Sequence, residues 1–80
     1  MKEVEKFLNT LRSEKTKQDY GRYINDFCNF KNIKNIEDFK KMTIDDYYDW
    51  NNYLKKEKNN SENTIRPKLI SINSFYDYLI

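Results

Sequence analysis

The last twenty residues, Ser61 to Ile80, carry apolar side chains at helical spacing, and this pattern constrains the fold more than any other. The stripe consists of Ile65, Leu69, Ile72, Phe75, Tyr76 and Leu79, which fall on one face of an α-helix. The opposite face is polar and carries Asn63, Arg66, Asn73 and Ser74, with no carboxylate between Asn63 and Asp77. The pattern predicts an amphipathic helix that packs on a small bundle and offers its positive N-terminal end to phosphates.

The start of this helix has two possible positions, because Pro67 lies close to it. If Ser61 is the N-cap, Pro67 falls in the second turn, where a proline costs about 3 kcal/mol or bends the helix. If Thr64 is the N-cap, Pro67 falls in the first turn, where its missing N–H is harmless. We therefore expect either a late start or a bend between Asn63 and Arg66.

Three further segments show helical apolar spacing. The first runs from about Glu3 to Arg12, and the second from Lys17 to about Lys31, with Thr16 as its expected cap and Asp19 three residues later. The third is capped by Thr43, has Asp45 and Asp46 in its first turn, and ends near Glu57. Residues 36–41 add one short helical turn. The sequence predicts an all-α, compact four-helix bundle with this additional turn.

Eighty residues are enough for one domain, residues 1–80, with a small core. Aromatic side chains must supply much of that core, because each buries a large area. The candidates are Phe7, Tyr20, Tyr23, Phe27, Phe30, Phe39, Tyr47, Trp50, Phe75 and Tyr76. The single cysteine, Cys28, excludes an intrachain disulfide and is best interpreted as core or boundary filler. With no long apolar run and no signal-peptide pattern, we expect a cytoplasmic protein.

Charge is unevenly distributed, although the net charge is only +2. Residues 12–34 carry six cations against three acids, and residues 36–54 carry two cations against five acids. Residues 55–80 carry five cations against three acids. The distribution indicates either a basic and an acidic half of the molecule or ordinary solvated helix faces.

Catalytic and metal sites are not predicted for this chain. It contains no histidine, one cysteine and one glycine. A zinc cluster, a Ser-His or Cys-His pair and a glycine-rich phosphate loop therefore cannot be assembled. We expect no catalytic residues, no metal and no cofactor, and binding is the remaining function.

The spacing of core and capping residues over residues 4–80 resembles the N-terminal core-binding domain of tyrosine recombinases, of the phage-integrase and Xer type, which has a SAM-like helical fold. The resemblance rests on FLNTLRSEKTKQDYGRYINDFCNF, MTIDDYYDWNNYL and SENTIRPKLISINSFYDYL. The matching positions are Thr16, Tyr20, Ile24, Phe27, Thr43, Asp46, Trp50, Ser61, Thr64, Ile65, Leu69, Ser71, Ile72, Phe75, Tyr76 and Leu79.

The resemblance implies that the domain forms half of a clamp around double-stranded DNA, with its second and fourth helices facing the major grooves. It implies DNA contacts from Lys15, Thr16, Lys17 and Arg22 on the second helix and from Asn63, Thr64, Arg66, Lys68 and Asn73 on the fourth. Cations, amides and hydroxyls are the usual donors to phosphates and base edges. Thr16 and Thr64 have a simpler interpretation as helix caps, and Lys15 and Lys17 as solvated surface.

Catalysis in this family belongs to a separate C-terminal domain, so this domain's expected partners are DNA and that catalytic domain. We expect a monomer in isolation and a homo-oligomer on DNA, with no membrane partner. Two features depart from the family pattern: Pro67, which affects the docking angle of the fourth helix, and the low net charge, which predicts weak binding by the isolated domain. Two alternatives remain: a helical protein-interaction module, and a small DNA-binding regulator without a recombinase partner domain.

Overall fold

Five α-helices make up the chain, and the computed structural model describes all of residues 1–80. They are α1 (Lys2–Leu8), α2 (Glu14–Phe30), α3 (Ile36–Lys40), α4 (Ile44–Lys56) and α5 (Glu62–Leu79). There are no strands. Four longer helices and the five-residue α3 confirm the predicted all-α fold with one additional short turn. None of the helices has the length and apolar content needed to cross a membrane.

The second helix begins earlier than its sequence pattern predicted. Ser13, not Thr16, is the N-cap: its Oγ accepts a hydrogen bond from the backbone N–H of Thr16 at 3.3 Å. Thr16 is therefore the third residue of α2, and the predicted pairing of Thr16 with Asp19 as a capping box is wrong. Asp19 is instead bound by Lys15 and Arg22. A serine hydroxyl caps a helix as well as a threonine hydroxyl does, and the earlier start satisfies additional backbone groups.

The fifth helix begins at the earlier of its two expected positions. Ser61 Oγ accepts from the backbone N–H of Thr64 at 3.3 Å, so Pro67 lies within the helix, in its second turn. The late start capped by Thr64 is wrong. The early start places Ile65 in the core at 3 % exposure, and burial of a side chain this size contributes about 1.5–3 kcal/mol. That gain offsets much of the proline penalty.

The first helix is shorter than expected and packs on its own chain. It ends at Leu8, where Thr10 Oγ1 donates to the carbonyl oxygen of Phe7 at 2.7 Å and closes the last turn. The ring centroid of Phe7 lies 5.4 Å from that of Phe75 and 5.4 Å from that of Tyr78. A short helix is stable only when docked, and these contacts dock α1 on α5.

The core is aromatic, as predicted, although fewer of the predicted aromatic residues are fully buried. Phe27 contacts Trp50 and Phe39, and Phe39 contacts Phe75, with ring centroids 4.8–6.0 Å apart. The buried apolar residues are Phe7, Ile24, Phe27, Cys28, Phe39, Trp50, Leu54, Ile65, Ile72 and Phe75. The four tyrosines predicted for the core, Tyr20, Tyr23, Tyr47 and Tyr76, are half-buried. The prediction was wrong for Phe30, which is 36 % exposed.

Cys28 lies in this core and makes no disulfide. Burial raises the pKa of its thiol to about 11, so the side chain stays neutral at physiological pH. A neutral, buried thiol is a poor nucleophile, which agrees with its interpretation as filler.

Candidate nucleic-acid interface

Two cations from different helices meet at one aromatic ring. The guanidinium carbon of Arg22, on α2, lies 5.3 Å from the ring centroid of Tyr23, and Nζ of Lys68, on α5, lies 5.9 Å from the same centroid. The electron-rich ring attracts both charges. We call Arg22 and Lys68 the α2–α5 cation pair. Since their separation cannot exceed the sum of these distances, one short run of phosphates can reach both.

The turn between α4 and α5 fixes the lysine of this pair. Lys68 Nζ donates to Asn60 Oδ1 at 2.7 Å, and Asn60 Nδ2 donates to the carbonyl oxygen of Lys58 at 3.1 Å. Asn59 adopts φ 53°, a left-handed conformation that asparagine tolerates better than most residues. The sequence pattern did not predict Lys58 or Asn60 as contact residues.

The exposed face of α5 carries four side chains at helical spacing: Asn63, Arg66, Ile70 and Asn73. We call these four residues the outer stripe of α5. Asn63, Arg66 and Ile70 line a shallow groove of about 280 Å³ against α4. Asn73 Nδ2 donates to the hydroxyl of Tyr47 at 3.3 Å. Burial raises the pKa of that hydroxyl, which keeps it protonated.

The predicted contact residues of α5 therefore divide between two sides of the helix. Arg66 and Lys68 are two positions apart, which turns their side chains about 200° from each other. Arg66 belongs to the outer stripe of α5, whereas Lys68 points towards α2. Neither has a carboxylate within 4.0 Å, so both cations are available. Thr64 Oγ1 lies 3.1 Å from Ser61 Oγ at the helix cap.

The first turn of α2 holds the other predicted contacts in local ion pairs. Lys15 lies 3.3 Å from Asp19, and Lys17 lies 3.3 Å from Glu14. Thr16 is half-buried beside them and lies about 10 Å along the helix axis from Tyr23. The C-terminal half of α2, not this turn, adjoins the start of α5. Asp19 links Lys15 to the α2–α5 cation pair, because its two oxygens lie 3.3 Å from Lys15 and 3.3 Å from Arg22. No ion pair joins Thr16 or Lys17 to Arg22 or Lys68.

Lys31 connects the basic segment, residues 12–34, to the acidic segment, residues 36–54. Its Nζ lies 2.9 Å from Asp46 Oδ1 and 3.4 Å from Asp49 Oδ2, both on α4. The predicted separation into a basic and an acidic half is therefore only partial, because this cation neutralises acids of the neighbouring segment. The α4–α5 turn and α5 carry no net charge, but three of their cations, Lys58, Arg66 and Lys68, have no carboxylate within 4.0 Å.

Comparison with known proteins gives one match. Residues 4–80 match the family described as phage integrase, N-terminal SAM-like domain. No curated protein and no solved structure matches the chain. The match covers nearly all of the sequence, and the resemblance to an integrase N-terminal domain is confirmed. The chain therefore belongs to the phage integrase N-terminal SAM-like domain family.

Proposed function

We propose that residues 1–80 form the duplex-DNA-binding module of a site-specific tyrosine recombinase or integrase of the Xer type. The observation that carries this proposal is the α2–α5 cation pair, since it joins the two helices that the family resemblance assigns to DNA. In this proposal the module forms half of a clamp, works in the cytoplasm, and depends on a catalytic domain of the parent protein for strand cleavage and rejoining. The isolated module is a monomer, and copies assemble on DNA.

The two surfaces of α5 have different roles in this proposal. The α2–α5 cation pair binds backbone phosphates, which fix the position of a protein on DNA without reading its sequence. The outer stripe of α5 reads base edges in the major groove. Arg pairs with guanine, Asn pairs with adenine, and an apolar side chain such as Ile70 contacts the methyl group of thymine.

The first turn of α2 supplies weaker contacts. The ion pairs of Lys15 with Asp19 and of Lys17 with Glu14 each include one largely exposed side chain. Exposed ion pairs contribute at most about 1 kcal/mol, so a phosphate can displace the carboxylate. Thr16 and Thr64, near the starts of α2 and α5, donate hydrogen bonds from their hydroxyl groups to DNA.

A salt titration tests phosphate binding directly. Binding of a fluorescent duplex is measured between 50 and 200 mM salt, where about five neutralised phosphates give a log–log slope of about −4 to −5. Arg22→Ala and Lys68→Ala should each make the slope shallower by about 0.9. Lys40→Ala, which removes an exposed cation from α3, is the matched control and should leave the slope unchanged. Binding without salt dependence would exclude the phosphate contacts.

Exposed apolar side chains on α4 favour a second candidate function, a contact with another protein. Ile44 is 67 % exposed and Tyr48 is 56 % exposed, one turn apart on the same face. Exposed apolar clusters mark interaction surfaces more often than isolated residues do. Sedimentation of the wild-type domain and of the double variant Ile44→Ser, Tyr48→Ser, both without DNA, tests this candidate. Self-association of the wild type that the double variant loses would support it. A wild-type domain that stays monomeric at millimolar concentration would contradict self-association.

A further inference from the structure

An open groove of about 550 Å³ lies where the end of α2 meets α4 and the α4–α5 turn. Its apolar wall consists of Phe30, Trp50, Tyr53 and Leu54, and we call it the aromatic groove. The volume falls within the range of sites that hold small organic ligands, about 300–1,000 Å³. Of the residues described above for duplex DNA, it shares Lys68 and the two turn residues that hold Lys68, Lys58 and Asn60.

A hydrogen-bond donor in the wall of the aromatic groove has no acceptor. Trp50 is 3 % exposed, and its indole Nε1–H makes no hydrogen bond within the protein. Buried donors nearly always have a partner, and an indole N–H can only donate. The Nε1 atom exposes less than 1 Å², so an acceptor of a bound molecule satisfies this group only when the side chains of the wall move apart.

The wall also offers aromatic surface to solvent. The ring of Phe30 lies 4.5 Å from that of Tyr53 and 5.1 Å from that of Trp50, measured between centroids. Phe30 nevertheless remains 36 % exposed, and Tyr53 is half-buried. Clustered aromatic rings with free surface beside cations are the arrangement that binds unpaired bases, because every base has a face that stacks.

Charged groups border this wall. Lys58 and Lys68 supply two cations, and Asp26 supplies one carboxylate. Lysine ammonium groups bind phosphates. A carboxylate repels phosphate but accepts a hydrogen bond from the exocyclic amino group of cytosine, which thymine lacks. The border of the aromatic groove therefore combines phosphate binding with a means of selecting the base.

We propose that the aromatic groove binds an unpaired nucleotide of single-stranded DNA. The base lies against Phe30 and Tyr53, an acceptor atom of the nucleotide receives the Trp50 N–H, and the phosphate lies against Lys58. Asp26 accepts from the amino group of the base, so cytosine binds more tightly than thymine. This activity is separate from duplex binding, because the wall of the groove contributes nothing to the α2–α5 cation pair.

The intrinsic fluorescence of Trp50 reports on this site, because it is the only tryptophan in the chain. Titration with an eight-nucleotide deoxycytidine oligomer should quench or shift the emission with saturation, and a deoxythymidine oligomer of equal length should bind at least about threefold more weakly. A blunt duplex should change the emission little. No change with either single strand, or an equal change with the duplex, would overturn the proposal. So would tighter binding of an acidic eight-residue peptide than of the oligomers.

Paired variants separate the aromatic groove from the duplex surface. Phe30→Leu keeps an apolar side chain but removes the stacking face, and should weaken oligomer binding at least about fivefold while duplex binding stays within twofold. Tyr48→Leu removes an exposed aromatic ring outside the groove and should change neither affinity. Circular dichroism confirms that both variants are folded. Equal losses of oligomer and duplex affinity in Phe30→Leu would overturn the separate site.

Two charge variants complete the test. Asp26→Asn should abolish the preference for cytosine over thymine. Lys58→Gln should make the salt dependence of oligomer binding shallower by about 0.7, whereas Lys56→Gln, on the neighbouring exposed lysine outside the groove, should not. A cytosine preference that survives Asp26→Asn would contradict the assigned role of Asp26, and equal effects of the two lysine variants would contradict that of Lys58.

Discussion

Lys31 Nζ lies 2.9 Å from Asp46 Oδ1, and this ion pair joins the end of α2 to the start of α4. The other carboxylate oxygen of Asp46 accepts from the backbone N–H of Thr43 at 2.9 Å, which completes the capping box of α4. The hydrogen bond from Lys31, followed by that from Thr43, lowers the pKa of Asp46. The hydrogen bond to Asp46 raises the pKa of Lys31.

These shifts predict acid-sensitive stability. Because the folded-state pKa of Asp46 is below its unfolded value, its contribution is present above that unfolded value and is lost as the pH falls through the folded-state pKa. Asp46→Asn should therefore lower the free energy of unfolding at pH 7 by about 1 kcal/mol or less. The loss should be smaller at pH 3.

Urea unfolding at the two pH values measures this difference. Asp45→Asn is the matched control, because Asp45 is exposed and makes no ion pair. It also removes a first-turn carboxylate that the helix dipole favours, so Asp46→Asn should lower the free energy of unfolding at pH 7 more than Asp45→Asn does. Identical pH dependence for Asp46→Asn and wild type would show that the pair contributes nothing.

Arg66 should contribute to sequence discrimination. Arg66→Ala should weaken binding to the preferred site, once that site has been selected from a random duplex library, by about 1–3 kcal/mol. Arg66→Lys keeps the charge but loses the two-pronged hydrogen bonding to guanine, so it should recover nonspecific affinity without recovering specificity. Competition between the selected and a scrambled duplex measures both. Full recovery by lysine would assign Arg66 to phosphate binding alone.

Trp50 should be essential for folding. It is buried between Phe27 and Tyr53, and removing a buried tryptophan costs about 3–5 kcal/mol. Small domains have total free energies of unfolding near the lower end of about 5–15 kcal/mol. The Trp50→Ala variant should therefore be unfolded or should melt at a much lower temperature than the wild type. Thermal melts followed by circular dichroism test this. Tyr48→Ala, at an exposed site, should melt within a few degrees of the wild type.

Replacing Pro67 should stabilise the chain. Proline inside α5 cannot donate to the carbonyl oxygen of Asn63, four residues earlier, and its ring crowds that oxygen. Pro67→Ala restores the donor, and we expect the free energy of unfolding to rise by about 1–3 kcal/mol, since part of the roughly 3 kcal/mol difference in helix propensity is offset by the freer unfolded chain. Urea unfolding measures the change. A less stable variant would mean that the proline ring makes packing contacts that alanine cannot replace.

The repeating apolar pattern predicted the existence of the helices and most of their inner faces correctly, although Phe30 is exposed. It placed Phe27, Trp50, Ile72 and Phe75 in the core, and each is at most 3 % exposed. Such predictions succeed because the spacing of apolar residues along one helix is a local property. The all-α fold and the short turn that became α3 followed from the same pattern. The family resemblance also depended on these core and capping positions.

Helix starts and contacts between helices required the tertiary structure. Ser13 and Thr16, like Ser61 and Thr64, are both possible caps, and serine is the somewhat better one. In α5 the early start at Ser61 also accompanies the burial of Ile65. The meeting of Arg22 with Lys68 at Tyr23 depends on how α2 and α5 cross, and no local pattern encodes a crossing. The sequence by itself determined which residues face inward along each helix, whereas only the packed structure decided which outward-facing side chains became neighbours.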